Sequence, residues 1–416
     1  HRSRDGLRPT SQVVQNVRGH SDQARKIKPS MAHPESQRPL QIAIVGFGAA
    51  AQAFVPAIQN NPHFSLVAIV ENNAQVQISA KALGIPVFSQ LDDLKQIEHL
   101  DGVYIATPTP CHADQCIQAL SNGWHVLVEK PMSSNAAEAL RMVSAAQQFG
   151  KSITVGHSHS FDAPIQAMLR IIQSGELGAV QMVNTWCFTD WVYRPRRPEE
   201  LDPSLGGGVT FRQGAHQIDI LRALCGPKVQ TVKAKVFNTD PLRNTIGAHA
   251  IYLDFENGAA ATAIYNGYAG LSSMDWTQNV SEWGFLQTAE HRPWKRRTAQ
   301  QTTVEQELAS KQERAKTAIP GAAPLQPHFG LTVVSCTLGD MRQTPEGILI
   351  ATAAGEHELK LPHHQSPRDL VLEELEEVWR GTGPGWHDGQ WGYDNLRICE
   401  AAIASAHSGR EWVMNA

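Results

Sequence analysis

The sequence predicts an α/β fold in two parts: a doubly wound parallel sheet, followed by a second domain built on an antiparallel sheet. Three observations lead to this prediction. A glycine-rich turn joins a short apolar strand to an amphipathic helix near residue 46. Strand-like and helical segments then alternate as far as residue 156, which is typical of parallel sheets with right-handed crossovers. Beyond that point strand-like runs recur, several of them separated by turn signals such as ENG and PEG.

The glycine-rich turn has the pattern of a dinucleotide site. The apolar run Ile42 to Val45 leads directly into Gly46 and Gly48, and Ala51 takes the third position of a G-x-G-x-x-G/A motif. The first glycine permits the tight turn, the second lets the backbone approach a pyrophosphate, and the small third residue lets helix and strand pack closely. The residues predicted to bind the cofactor here are Gly46, Phe47, Gly48 and Ala50.

An acidic residue follows the second predicted strand. Glu71 comes directly after the strand SLVAIV, 25 positions beyond Gly46. A carboxylate at this place accepts hydrogen bonds from the ribose diol of NAD and repels the 2′-phosphate of NADP. Asn72 and Asn73 add no positive charge. We therefore predict NAD as the cofactor, with NADP less favoured; the alternative is a solvated glutamate at a strand end.

Further polar residues follow the later strands of the predicted parallel sheet. Thr107 ends the strand GVYIAT and Pro108 follows it, Glu129 and Lys130 lie at the end of WHVLVEKP, and His157 follows KSITVG. Ligands of such sheets bind at the carboxyl ends of the strands. These residues are therefore candidates for lining a cleft that binds the cofactor and the substrate. No metal site is expected.

Composition limits the possible partners. The chain has 416 residues, of which 42 % are hydrophobic, and its formal net charge is −4. That balance gives no reason to expect nucleic acid, and no apolar run is long enough to span a membrane. Six cysteines without C-x-x-C spacing indicate core thiols in a reducing compartment, the cytoplasm. Residues 1–38 are predicted to be a disordered leader, with a basic binding arm as the alternative.

Beyond residue 38 the sequence resembles the glucose–fructose oxidoreductase, inositol dehydrogenase and MocA family. The matching segments are AIVGFGAAA, VYIATPTPCHADQCIQALSNGWHVLVEKP, GELGAV, LGGGVTFRQGAHQIDILRALCG, SPRDLVLEELEEVWRG and DNLRICEAAIASAHSGR. The resemblance implies a Rossmann domain, expected over 39–156, and a C-terminal α/β domain over 157–416 with a large, mainly antiparallel open sheet. It also implies a nicotinamide cofactor and a homo-oligomer, a dimer or a tetramer.

The resemblance also assigns roles to individual residues. Lys130 matches the lysine of the family E-K-P motif, near the nicotinamide and the substrate hydroxyl, and His216 matches the histidine that acts in proton transfer. His112 matches the T-P-x-x-x-H motif and is expected to organise the loop beside the cofactor. One departure matters: where the family commonly has Asp-x-x-x-His, this sequence has Arg212-x-x-x-His216.

Arginines and aromatic residues surround this departure in sequence. The segment WVYRPRRPEELD contributes Arg196, Arg197 and Trp191 ahead of Arg212. A guanidinium grips a carboxylate in bidentate fashion, and aromatic walls suit a ring. We therefore predict an anionic, ring-shaped substrate bound by Arg212, Arg196, Arg197, His159 and Trp191. The alternative is a solvated loop whose arginines pair with Glu199, Glu200 and Asp202.

These observations lead to a specific expectation about function. Several segments most resemble phthalate dihydrodiol dehydrogenases of the family, which implies NAD(P)-dependent oxidation of a carboxylated cyclic diol, such as cis-4,5-dihydrodiol phthalate to 4,5-dihydroxyphthalate. The alternatives are a sugar or inositol dehydrogenase, an enzyme that uses NAD in glycoside hydrolysis, and a non-catalytic NAD-binding regulator. The E-K-P block and His216 argue against the regulator. Residues from about 295 to 326 are polar and are predicted to form an exposed insertion.

Overall fold

The described part of the chain comprises residues 38–156, 159–287, 303–317, 323–362 and 366–414 of a computed structural model. The leader expected over 1–38 lies outside it except for Arg38, and so does His157. Of the insertion expected at about 295–326, residues 303–317 and 323–326 are described.

The first half of the described chain forms a sheet of six strands flanked by helices. The strands are β1 (Leu40–Val45), β2 (Phe64–Val70), β3 (Val87–Phe88), β4 (Gly102–Ile105), β5 (His125–Glu129) and β6 (Ile153–Gly156). The helices between them are α1 (Ala49–Asn60), α2 (Ala74–Lys81), α3 (His112–Ser121) and α4 (Ala136–Phe149).

This first sheet is parallel throughout, with the strand order β3-β2-β1-β4-β5-β6. That order places the crevice for a dinucleotide between β1 and β4, where the chain switches from one half of the sheet to the other. Strand β1 is short, and its residues Ile42 to Val45 are all buried, as a strand covered by helices on both faces must be. The prediction of a doubly wound parallel sheet is confirmed.

The second half of the described chain contains nine further strands and seven α-helices. In chain order these elements are α5 (Ala163–Ser174), β7 (Val180–Phe188), α6 (Pro198–Leu201), α7 (Gly208–Arg212), α8 (Gly214–Cys225), β8 (Val229–Phe237), β9 (Ala248–Phe255), β10 (Ala260–Asn266), α9 (Val304–Thr317), β11 (Leu331–Cys336), β12 (Gly339–Thr344), β13 (Gly347–Thr352), β14 (Gly355–Lys360), α10 (Pro367–Trp379), α11 (Gly389–Ser408) and β15 (Trp412–Val413).

The nine strands make one open sheet in the order β14-β13-β12-β11-β7-β10-β9-β8-β15. Its neighbouring strands are antiparallel except for β7 and β10, so the expected mainly antiparallel sheet is confirmed. Along β7, Val183, Thr185 and Cys187 are buried, whereas Met182 and Trp186 are exposed. Alternation of this kind shows that helices cover one face of the sheet and leave the other open.

Helix α8 is central to the covered face. Every residue from Gly214 to Cys225 is buried, because the helix packs against β7 and β10 on one side and against α5 and α11 on the other. A helix surrounded in this way is fixed in position. Since it carries His216 near its N-terminus, the surrounding core determines where that side chain lies.

The two sheets belong to one compact unit that begins at Pro39. Helix α10, which comes late in the sequence, returns to the first sheet: Val371, Leu372 and Leu375 share a buried core with Ile42 and Ile44 of β1. Helix α11 packs against both α4 and β8. The division at residue 156 stays a prediction, since elements of the C-terminal half help to cover the first sheet.

Helix α9 is the described part of the expected insertion. Most of its described side chains are exposed, but Glu307 is buried and Lys311 is half-buried. The helix lies against α1 of the first sheet. In the described residues there is no helix of the length and apolarity needed to cross a membrane.

Candidate active site

The turn after β1 has the geometry that a dinucleotide requires. Gly46 has a φ of +86°, and a Cβ atom there would lie 2.7 Å from the Thr107 side chain, so only glycine fits. A Cβ atom at Gly48 would meet nothing within 4 Å. Helix α1 begins here without a side-chain cap, and Ala49 and Ala50 are exposed. Open space beside uncapped helix N–H groups fits a pyrophosphate.

Glu71 lies beside this turn. Its Oε2 accepts a hydrogen bond of 2.8 Å from the backbone N–H of Phe47, and its Oε1 accepts one of 2.8 Å from the N–H of Asn73. The carboxylate is therefore held next to the glycine turn, where lone pairs remain for a ribose diol. The Asn73 side chain caps α2 through the N–H groups of Gln75 and Val76. The predicted cofactor residues of this turn are thus brought together.

His112 joins the ends of two neighbouring strands. Its Nε2 lies 2.8 Å from the carbonyl oxygen of Thr107, after β4, and its Nδ1 lies 3.0 Å from the carbonyl oxygen of Pro131, after β5. Burial lowers the pKa of His112, although both carbonyl acceptors favour its protonated form. Pro108 begins the turn between these groups and accepts from the N–H of Cys111. His112 therefore fixes the spacing between the β4 loop and Lys130.

Lys130 is held at the edge where the first sheet meets α7. Its Nζ donates a 3.1 Å hydrogen bond to the carbonyl oxygen of Arg212. Burial, followed by repulsion from the Arg212 guanidinium, lowers the pKa of Lys130 to about 8. Glu129 opposes that shift, and its carboxylate is itself held by a 2.5 Å hydrogen bond from the Tyr104 hydroxyl. A lysine with such a pKa is partly neutral near physiological pH and is able to accept a proton.

Arg212 and His216 do not share one helical turn. Helix α7 ends at Arg212 and α8 begins at Gly214, with Gln213 between them at φ −118° and ψ −37°. A Cβ atom at Gly214 would lie 2.9 Å from the His249 ring, so the chain passes His249 closely. The break directs Arg212 towards Thr109, whose hydroxyl accepts a 2.8 Å hydrogen bond from Nη1.

A buried carboxylate, Glu200, draws the predicted cations together. Its side chain is 6 % exposed and lies 3.3 Å from Arg212 Nη2 and 3.9 Å from Arg196 Nη1. Lys311 of α9 also donates to it, and the N–H of Arg197 does so at 2.7 Å. Burial alone would raise the pKa of Glu200, but Arg212, Lys311 and Arg196 together hold it well below its usual range. Glu200 is thus a buried carboxylate with three cationic side chains around it.

The remaining predicted arginine and aromatic residues have unequal positions. Trp191 is completely buried, and the Arg196 guanidinium lies over its ring, 4.1 Å from the centroid. Trp191 therefore offers no surface to a substrate, and the expectation that it lines the cleft is corrected: it supports Arg196. Arg197 is 37 % exposed and lies 3.8 Å from Glu199 at the rim. The loop alternative holds in part, because these arginines do pair with Glu199 and Glu200, but Glu200 is buried rather than solvated.

Two of the predicted site histidines, His216 and His159, lie against each other below the surface; His159 is only 4 % exposed, and its contact with a substrate stays a prediction. His216 is buried, and its ring lies edge to face with that of His159, with 4.7 Å between centroids. Phe329 stacks on His159 at 4.2 Å. The Nδ1 atom of His159 lies 3.1 Å from an oxygen of Asp162. The structure thus brings together two residues that the sequence places 57 positions apart.

Some residues of the site were missed by sequence reasoning. They are Thr109, Asp162, Glu282, Phe329 and Lys311. Thr109 and Asp162 lie within a few residues of Thr107 and His159, so proximity to a strand end was an available signal. Lys311 and Phe329 reach the site from more than a hundred residues beyond Glu200 and His216, respectively, and nothing local marks them.

Comparison with known proteins agrees with this geometry. Residues 40–157 match the model of the oxidoreductase family, NAD-binding Rossmann fold (Gfo/Idh/MocA), and residues 165–277 match the model of the corresponding C-terminal domain. The chain is 34 % identical over 377 residues to 1-carboxy-3-chloro-3,4-dihydroxycyclo hexa-1,5-diene dehydrogenase of Comamonas testosteroni, covering 88 % of this chain and 94 % of that one.

Solved structures extend the comparison. One from Bordetella bronchiseptica RB50 is 33 % identical with a TM-score of 0.82, and covers 90 % of this chain and 100 % of that one. The WlbA dehydrogenase of Bordetella pertussis, in complex with NADH and UDP-GlcNAcA, is 20 % identical with a TM-score of 0.66 over 91 % and 99 %, which concerns the fold alone. The chain belongs to the Gfo/Idh/MocA oxidoreductase family, whose nicotinamide cofactor fits the open turn at Gly48.

Proposed function

We propose that this protein oxidises a carbinol of a carboxylated cyclic diol, with NAD as hydride acceptor, and that the substrate is a cis-dihydrodiol of an aromatic carboxylate such as phthalate. The observation that carries the proposal is the position of Arg212. Its backbone carbonyl oxygen accepts from Lys130 Nζ at 3.1 Å, and its guanidinium is near enough to lower the pKa of that lysine, so a cation lies near the candidate base. A substrate carboxylate bound there would bring its ring to Lys130.

The charge of the cleft supports an anionic substrate. Arg212, Arg196 and Lys311 surround the carboxylate of Glu200, and Arg212 keeps N–H groups beyond those that meet Glu200 and Thr109. A substrate carboxylate that binds here would accept charge-assisted hydrogen bonds from these N–H groups. The Comamonas relative supports the same class, since its name describes a carboxylated dihydroxycyclohexadiene.

The chemistry follows from the groups in place. Lys130, with a pKa of about 8, accepts the proton of the carbinol hydroxyl. Bound NAD supplies the hydride acceptor for the C–H bond of the same carbon. His216 forms a hydrogen bond with the reacting oxygen and assists in moving the proton of its hydroxyl group. Arg212 holds the substrate carboxylate and so fixes the position of the ring. The resulting hydroxyketone tautomerises to a catechol, and the gain of aromaticity makes the oxidation favourable.

The residues beside the glycine turn support NAD over NADP as the cofactor. Glu71 is held beside the glycine turn by the N–H groups of Phe47 and Asn73. A 2′-phosphate in that place would meet a carboxylate without a compensating cation, since Asn72 and Asn73 follow it in sequence.

Reduction of NAD by the purified protein tests the proposal with three compounds: the cis-4,5-dihydrodiol of phthalate, its decarboxylated analogue and myo-inositol. We expect turnover of the carboxylated diol and a loss of at least about tenfold in kcat/KM with the decarboxylated one. Preferred turnover of myo-inositol would point to a polyol dehydrogenase instead. NAD binding without reduction by any of the three would contradict the proposal.

A further inference from the structure

At the position four residues before His216, where the family that this sequence resembles commonly has aspartate, this chain differs. The residue there is Arg212, a cation. Asp219 lies on the same helix, but its Oδ1 accepts hydrogen bonds from Trp391 Nε1 at 2.6 Å and from Asn395 Nδ2 at 3.3 Å. These contacts direct the Asp219 carboxylate to α11. The segment that carries His216 therefore has a cation at residue 212 and an aspartate that is engaged with α11.

Asp162 is a buried carboxylate whose position is not explained by its local structure. It is the N-cap residue of α5, yet its side chain makes no cap hydrogen bond. Its Oδ2 instead lies 3.1 Å from His159 Nδ1, and the two side chains are 1 % and 5 % exposed. Among the described residues Oδ1 has no hydrogen-bond partner. An N-cap aspartate normally stabilises its own helix, so this carboxylate serves another group at a cost in desolvation.

His159 connects this carboxylate to His216. The two imidazole rings meet edge to face at 4.7 Å, and Phe329 packs on both, at 4.2 Å from His159 and 5.1 Å from His216. With Nδ1–H donating to Asp162, the tautomer and the orientation of the His159 ring are set. The three side chains therefore form a fixed series: carboxylate, imidazole, imidazole.

We propose that Asp162 and His159 are a positioning pair for His216, and that the buried carboxylate, through the intervening imidazole, favours the protonated form of His216. The pair supplies the negative charge that residue 212 does not. This inference rests on the proposed function only for its kinetic consequence. Other charged groups near these side chains are the cations Lys130 and Arg212 and the carboxylate Glu282. Burial, with a further contribution from Glu282, raises the pKa of Asp162, whereas His159 opposes that shift.

The chain offers a matched control in a second buried pair. His387 Nδ1 lies 2.9 Å from Glu374 Oε2, with side chains 1 % and 12 % exposed. The contacts of His387 come from α10, from Asp219 of α8 and from Ser160 in the segment before α5. Glu374→Gln therefore removes a buried carboxylate from a histidine without changing the Asp162–His159–His216 series.

Histidine side-chain NMR of the full chain tests the pair without any turnover. With resonances assigned by their loss in His216→Gln and His159→Gln, we expect Asp162→Asn to lower the titration midpoint of His216 by about half a pH unit or more, since a negative charge is lost. Glu374→Gln should leave that midpoint unchanged. An unchanged His216 midpoint in a folded Asp162→Asn protein overturns the proposal, and so does an equal change in Glu374→Gln.

Kinetics provides the second readout. Asp162→Asn and His159→Gln should lower kcat about tenfold with KM changed less than about twofold, and should move the acidic limb of the pH profile. Asp162→Glu, which keeps the charge, should recover part of kcat. If kcat falls equally in all of these variants, Asp162→Glu included, and the pH profile does not move, the pair has a structural role only and the proposal is overturned. If the wild-type protein oxidises none of the diols, the proposed function fails, whereas the NMR titration still decides the pair.

Discussion

The two sides of the cleft are built differently. On the cofactor side, backbone groups near one another in sequence form the site: the Gly46 turn, Glu71 held by the N–H of Phe47, and His112 between two strand ends. On the substrate side, charged side chains far apart in sequence meet at Glu200. If the proposed function is right, local backbone geometry fixes the cofactor, whereas electrostatic contacts between distant segments select the substrate. Substitutions on the cofactor side should therefore leave the preference between diols unchanged, and substitutions on the substrate side should leave NAD binding unchanged.

Lys130 lies where the two sides meet, and its loss should have the largest effect. Lys130→Met removes the base, so we expect kcat/KM to fall by about a thousandfold or more. The Kd for NAD, measured by calorimetry, should change far less. Lys151→Met changes another half-buried lysine, just before β6, so it is the matched control and should behave as wild type. Substantial activity in Lys130→Met would transfer the role of base to His216.

The pH dependence follows from the same residue. Burial and Arg212 lower the pKa of Lys130 to about 8, and only its neutral form accepts a proton. We therefore expect kcat/KM to rise with pH and to level off above about 8. The rise should move to higher pH when Arg212 is replaced by a neutral residue, because the repulsion that favours neutral Lys130 is lost. A profile that does not respond to residue 212 would contradict this coupling.

Arg212 should control the choice of substrate. Arg212→Ala should lower kcat/KM for the carboxylated diol by about 30- to 100-fold and should change that for the decarboxylated diol much less. Arg212→Lys should keep only part of the wild-type kcat/KM for the carboxylated diol, because an ammonium group cannot make the planar bidentate contact of a guanidinium with a carboxylate. Arg170→Ala removes an exposed arginine of α5 and serves as the control. Equal losses with both diols would show that Arg212 acts on the fold or on Lys130 rather than on the carboxylate.

Glu71 should control the choice of cofactor. Glu71→Gln removes the charge but keeps an acceptor for the Phe47 N–H, so we expect the preference for NAD over NADP to fall about tenfold. The ratio of kcat/KM for the two diols should stay as in the wild type. Glu98→Gln, at an exposed position, is the control. A changed diol preference in Glu71→Gln would break the separation between the two sides.

Lys311 should show the smallest effect. Lys311→Ala removes one of the cations around Glu200, which leaves that carboxylate more free to compete for Arg212. We expect KM for the carboxylated diol to rise about threefold, with kcat and the KM for NAD unchanged. Lys360→Ala, an exposed lysine that pairs with Glu346 on the edge strand, is the control. An unchanged KM would place α9 outside the electrostatics of the site.

The sequence predicts the cofactor side well because its signals are local. The strand, turn and helix around Gly46 lie within about twenty residues, and each step has its own sequence pattern. The parallel first sheet and the mainly antiparallel second sheet follow from the same kind of pattern, and both are confirmed. The roles predicted for individual residues of this side stay predictions that the experiments above decide.

The substrate side was harder to predict for physical reasons. The residue types were anticipated, but Glu200 pairs with Lys311 across 111 positions, and no local rule identifies such a partner. Trp191 was expected to face a ring and is instead buried beneath Arg196, since burial depends on packing that a single segment does not specify. The break at Gln213 was missed as well, and the close passage of His249 beside Gly214 is a contact between distant segments that no local pattern marks.

Arg212 also joins the two sheets mechanically. Its side chain is tied to Thr109 in the loop after β4, and its backbone carbonyl is tied to Lys130 after β5, so one residue of the second half holds two loops of the first. A ligand that draws the guanidinium towards itself must work against the tie to Thr109. An anion bound by the Arg212 guanidinium would therefore act on the same residue that ties the second half of the chain to the loops after β4 and β5.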